Sequence, residues 1–114
     1  MTATIYKICD STLWRDAERA GVLVGAPVDH ADGFIHFSTA AQVAETAARH
    51  FAGKEDLLLL AVDAAVLGPA LRHEPSRGGQ LFPHLYGTLP LTAVRWVGLL
   101  QLGANGRLVF PEVE

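Results

Sequence analysis

The sequence predicts an α+β fold with a mixed or antiparallel sheet and two main helices in the N-terminal half. Three observations carry that reading. Segments with strand character outnumber those with helical periodicity, the helical segments fall early in the chain, and Asn105-Gly106 between apolar runs marks a β-hairpin. The chain has 114 residues, the length of one domain, and residues 1–114 are read as a single domain. Hydrophobic residues make up 50% of it, enough to bury a core and to argue against disorder.

The first strand is expected over Thr4–Cys9, which is rich in Ile and Tyr. A helix follows from Ser11 or Thr12, with Leu13, Trp14, Ala17 and Ala20 at helical spacing and Gly21 as terminator. Val24 to Gly33 has the Gly, Pro and Asp content of a loop. Phe34–Phe37 reads as a short strand running through Ser38 and Thr39 into a helix over Ala40–Ala52. There Thr39 and Gln42 have capping-box spacing, and Glu45 and Arg49 pair four apart. Asp56–Asp63 has the near-continuous apolar centre of a central strand. Leu71–Glu74 is a further short strand, and Pro75 to Gly79 is a glycine-containing loop. Phe82–Tyr86, Arg95–Leu102 and Leu108–Phe110 complete the strands.

Charge and composition narrow the partners. The net charge is -3 with signs mixed along the chain, so there is no basic footprint for nucleic acid and DNA is not an expected partner. The longest apolar run, Leu57 to Val62, is far too short for a membrane span, and residues 1–9 lack the pattern of a secretory signal. Cys9 is the only cysteine, which rules out an internal disulfide and predicts a reducing, cytoplasmic setting. No His-x-x-x-His or Cys-x-x-Cys spacing occurs among His30, His36, His50, His73 and His84, so no metal site is expected.

Side chains alternate between the faces of a strand, so His36 shares a face with Ser38, and His84 shares one with Tyr86 and Phe82. Two strands thus place proton-transferring groups among aromatics, as ligand pockets do, and a pocket lined by His36, Ser38, Thr39, His84 and Tyr86 is expected. Each histidine taken singly also reads as a structural residue. Thr39 reads as an N-cap, with Ser38 beside a helix start that could receive phosphate or carboxylate. Arg72 and Glu74 share a face. They form either a surface ion pair or an anion contact with a carboxylate able to orient a hydroxyl or act as a base. Arg77 in its glycine loop is either a solvated charge or an anion clamp. Cys9, in an apolar strand, is not expected to be a nucleophile.

The chain resembles domain-of-unknown-function family 952. The resemblance rests on Ile5-Tyr6-Lys7-Ile8, Trp14, Gly33-Phe34-Ile35-His36-Phe37-Ser38-Thr39, Gln42, Phe51, the Asp56–Asp63 strand, Arg72 with Glu74, and Phe82-Pro83-His84-Leu85-Tyr86-Gly87 followed by Leu89-Pro90 and Ala93-Val94. Some members carry a glutathione S-transferase label, but no thioredoxin-like glutathione pattern stands in this sequence. The resemblance implies a fold similar to ADP-ribosyltransferases and, more distantly, to the NAD-using RNA 2′-phosphotransferases, which leaves RNA open as a partner. In those enzymes a first-strand histidine holds a ribose. Here Lys7 stands in its place, which weakens the implication that NAD is the cofactor; a lysine can still meet a phosphate as a point charge.

Three functions follow as expectations. One is a transferase acting on NAD or a related nucleotide through His36, Glu74, His84 and Tyr86. Another is a non-catalytic binding domain for a nucleotide or small anionic metabolite, using Lys7, Ser38, Thr39, Arg72 and Arg77. The third is a protein-interaction domain.

Overall fold

The computed structural model describes residues 3–111. Strand β1 (Thr4–Asp10) leads into helix α1 (Ser11–Ala20), followed by β2 (Val22–Leu23), α2 (Pro27–Asp32) and β3 (Ile35–His36). Helix α3 (Val43–His50), β4 (Leu57–Asp63), α4 (Ala64–Leu67) and β5 (Leu71–Pro75) come next, then β6 (Leu81–Leu85), β7 (Leu89–Pro90), β8 (Val94–Leu102) and β9 (Leu108–Val109). The fold is α+β, and every strand pairing is antiparallel. Among the described residues, no helix is long and apolar enough to cross a membrane.

The strands form a four-stranded sheet in the order β1-β4-β8-β9, a three-stranded sheet β3-β6-β5, and the pair β2-β7. As its apolar run predicts, β4 is central in the larger sheet, with β1 and β8 on either side. It is buried on both faces. Leu60 and Val62 join Ile5 and Cys9 in a cluster with Ala17 of α1 and Ile35, Phe37, Leu85 and Leu89. Leu57, Leu59 and Ala61 join Tyr6 and Ile8 in a second cluster with Val43 and Ala47 of α3. Each fully buried leucine contributes about 1.5–3 kcal/mol by removal from water.

Local chemistry explains the element boundaries. Helix α1 starts at Ser11 because the Asp10 side chain accepts the Leu13 N–H at 2.7 Å; Gly21 ends it at φ 82°, a left-handed conformation that glycine adopts without strain. The segment expected to be loop from Val24 to Gly33 instead contains α2. Pro27 supplies a preset φ in its first turn, and the Asp29 carboxylate reaches back to the Ala26 N–H at 2.7 Å, so a helix forms within a glycine- and proline-containing stretch. Helix α3 begins at Val43 rather than Ala40. The Thr39 carbonyl accepts from both Gln42 and Val43 N–H, which makes residues 40–42 a tight turn. Gln42 Oε1 accepts the Thr39 N–H at 3.1 Å, while its Nε2 donates to the Leu81 carbonyl at 2.8 Å and ties the helix start to β6.

One residue separates the two larger sheets. The Pro83 carbonyl accepts the Phe37 N–H at 3.0 Å, but proline has no N–H to return. The ladder between β3 and β6 ends there, and the chain crosses to β1, where Ser38 and Tyr6 exchange two backbone hydrogen bonds of 2.8 Å.

Cys9 is buried, and burial pushes its thiol up to about 12, with the nearby Lys7 charge working in the opposite direction. The folded protein will therefore resist iodoacetamide at pH 8 and react at a normal rate once denatured. Mass spectrometry of the alkylated product checks this, and rapid modification of the native state would contradict it.

Candidate functional site

The sheet β3-β6-β5 places a row of polar residues across one face. His36 lies directly opposite His84, and His84 directly opposite Arg72. Register partners in an antiparallel pair point to the same side, so the alternation read from the sequence translates into contact. The two imidazoles are 5.6 Å apart, centre to centre, and meet edge to face. Phe34 stacks on His84 at 4.0 Å, and its ring also lies 4.7 Å from His36 and 5.3 Å from Tyr86.

Each imidazole has its own carboxylate behind Nδ1. His36 Nδ1 is 2.6 Å from Asp29 Oδ1, and His84 Nδ1 is 2.9 Å from Glu74 Oε1. A carboxylate at Nδ1 fixes ring orientation and turns Nε2 toward the reacting side, an arrangement suited to proton transfer. His36 Nε2 meets the exposed Asp32 at 2.8 Å, so both contacts of this ring are hydrogen bonds when both nitrogens carry protons. The His84 ring is buried, with the residue 4% exposed.

Asp29 is the buried hub of the first couple. Its carboxylate accepts from Lys7 Nζ at 3.0 and 3.2 Å, from the Ala26 N–H at 2.7 Å and from the His36 N–H at 3.1 Å, besides the imidazole. Burial works to raise its pKa, but the His36 hydrogen bond, the Lys7 charge and the two backbone donors outweigh it and hold the group well below the usual carboxylate range. Gly25 makes this possible. A Cβ there would stand 2.9 Å from Asp29 Cβ, and its φ of 105° suits glycine. In the second couple, the Tyr86 hydroxyl donates to Glu74 Oε1 at 2.7 Å. That bond, with the one from His84, holds the Glu74 carboxyl below its ordinary value, and the same contact with Glu74 raises the Tyr86 hydroxyl. The Arg72 guanidinium lies over the Tyr86 ring at 5.0 Å.

Of the residues singled out in the sequence, His36, His84, Tyr86, Glu74 and Arg72 come together. Lys7 reaches the site from beneath, buried, with its ammonium on Asp29. Ser38 is buried away from the imidazoles, its hydroxyl 2.9 Å from that of Thr46 in α3. Thr39 shapes the turn before α3. The Arg77 side chain lies outside the described residues. Asp29, Asp32 and Phe34 belong to the site but were not anticipated. Asp29 had a signal, an acid two residues after a proline that opens a helix. Among the described residues, no group of three or more His, Cys, Asp or Glu is arranged to hold a metal ion.

A family model described as a protein of unknown function, DUF952, matches residues 8–97. The chain belongs to this family. It is similar to the crystal structure of protein CC0527 from Caulobacter crescentus, with 46% identity, 93% of each chain covered and a TM-score of 0.90. The solution NMR structure of CC0527 gives 47% identity over 91% of this chain and 90% of that one, with a TM-score of 0.83. No curated protein matches the chain. Within this DUF952 chain, the Gly33–Thr39 and Phe82–Gly87 segments quoted above contain both paired histidines, Phe34 and Tyr86.

Removing the hub carboxylate leaves the buried Lys7 charge uncompensated. Asp29→Asn is expected to lower stability by about 3–5 kcal/mol in urea denaturation at pH 7, and by clearly less in a Lys7→Met background. Because the folded Asp29 value lies below the unfolded one, its contribution is complete above about pH 4 and is lost as the pH falls further. The acid limb of stability against pH should therefore be shallower in Asp29→Asn than in the parent, and identical limbs would contradict this account.

Proposed function

We propose that the His36–His84–Arg72 face binds a nucleotide or another small anionic metabolite, and that its paired imidazoles move protons on that ligand. The observation that carries this reading is the 5.6 Å separation of two imidazoles, each backed at Nδ1 by a separate carboxylate. One such couple is common structural chemistry. Two side by side supply a proton donor and a proton acceptor within the span of one small ligand. Arg72 provides the anion contact beside them and Tyr86 an aromatic face. With Lys7 engaged by Asp29, the phosphate contact falls to Arg72.

Transferase chemistry of the ADP-ribosyl or RNA 2′-phosphate kind is the more specific form of this reading. It is supported by the adjacency of three segments that the resemblance places around a dinucleotide. Tyr6-Lys7-Ile8 is hydrogen-bonded to Ser38, and His36-Phe37-Ser38 pairs with Phe82–Tyr86. Glu74, kept ionised by Tyr86 and His84, is suited to stabilising positive charge that develops at a ribose carbon. An ADP-ribosyltransferase-like topology and a cytoplasmic setting, the latter in keeping with the single buried thiol, belong to the same proposal. A protein-interaction role is the second reading. It is favoured by the exposed Trp96, Val97, Leu99 and Val109 on β8 and β9.

Titration with NAD and with ADP-ribose, followed through the His36 and His84 imidazole NMR signals, tests the first reading. Both signals should shift at millimolar ligand or below, and Arg72→Ala should weaken binding about tenfold or more, as loss of a charge-assisted contact does. Unmoved imidazole signals at millimolar concentrations of both ligands would overturn it. A stable protein partner retained by His36→Ala and His84→Ala would favour the second reading.

A further inference from the structure

We infer that the Phe34 ring occupies a subsite for a planar heteroaromatic ring, such as the base of a nucleotide, and must leave it for that ring to bind. The inference rests on the proposed binding reading and adds the part of the ligand that enters. Phe34 lies against three rings at once, those of His84, His36 and Tyr86, and is stacked on the first of them with an interplanar angle of 25°. This is a slot shaped for a flat ring, filled by the chain's own side chain.

The slot differs from ordinary core packing in two respects. Its walls are ionisable side chains, whereas the hydrophobic clusters on the two faces of the large sheet do not include Phe34. Phe34 itself is only half-buried and borders a hollow of about 220 Å³ lined with Val24, Asp29, His30, Gly33, Ile35 and Gly87. The ring thus has space to move into.

The backbone is suited to that movement. Phe34 follows Gly33, which closes α2 at φ 86° with open space around the position of a Cβ, and the Phe34 N–H makes a long 3.2 Å bond to the Asp29 carbonyl. Ile35, the next residue, is anchored in the core. Rotation is therefore confined to the one residue whose ring covers His84. An incoming heteroaromatic ring would stack on the imidazole as the phenyl does. Its attached phosphate would lie toward Arg72, on the strand beyond His84.

Calorimetric titration of the parent protein, Phe34→Ala and Phe34→Leu with AMP and with ribose 5-phosphate tests the inference. Emptying the slot should tighten AMP binding about tenfold in Phe34→Ala, with a smaller gain in Phe34→Leu, and should leave ribose 5-phosphate unchanged. If Phe34→Ala does not fold, the Phe34→Leu gain decides. Carbethoxylation of His84 by diethyl pyrocarbonate, which needs no nucleotide, should also accelerate about tenfold when the ring is removed. Unchanged or weaker AMP binding, an equal gain for ribose 5-phosphate, or an unchanged carbethoxylation rate would overturn the inference. If every form binds both ligands without the selective gain, the binding reading stands. If no form binds either, that reading fails along with this one.

Discussion

Asp29 joins the parts of the molecule that make the site. Its carboxylate takes hydrogen bonds from β1 through Lys7, from the residue before α2 through Ala26, and from β3 through both the backbone and the ring of His36. A buried carboxylate is unfavourable unless its lone pairs are filled, and here they are filled by groups far apart in the chain. The group therefore acts as a fastener whose geometry fixes where α2 begins and which way His36 faces. Substituting either charged partner alone would strand the other in a low-dielectric setting.

The second couple reverses the burial, with a buried imidazole and a partly exposed carboxylate, and carries more aromatic surface. Glu74 receives both His84 and Tyr86 on one oxygen, and Arg72 covers the tyrosine ring. The two couples sit in one row because β6 lies between β3 and β5, and because Pro83 ends the pairing just past His84. A longer ladder would have continued the small sheet and drawn Ser38 away from β1. The proline thus sets the width of the site as well as the division between the sheets.

Much of this was legible in the sequence. The apolar run of β4, the spacing of α1 and the two-residue alternation in the histidine strands all carried through, because each reflects burial on a definite face. The α+β class followed from the same patterns. Alternation was less informative beyond strand ends. Ser38 shares parity with His36, but β3 stops at His36, so its hydroxyl meets Thr46 instead. Helix α2 was hidden because Gly25, Pro27, Asp29 and Gly33 have the composition of a loop, although proline at the start and an acid in the first turn are also how a short helix begins. The Lys7–Asp29 pair spans 22 residues and joins two separate elements, a relationship that no local pattern encodes. Phe34 was visible within the motif, but three rings converge on it only through the pairing of β3 with β6, which no local pattern encodes.

Asp32 is the outermost member of the chain of charges that begins at Lys7, and its side chain is 48% exposed while that of Asp29 is 1% exposed. Electrolyte screens the two ends of that chain unequally, since mobile ions crowd a carboxylate in water and are excluded from one in the interior. When both nitrogens of His36 carry protons, rising ionic strength loosens its Asp32 end long before it disturbs the Asp29 end. The imidazole would then be held from behind and released in front, so the freedom of its Nε2 is set by the composition of the surrounding medium while its orientation is not.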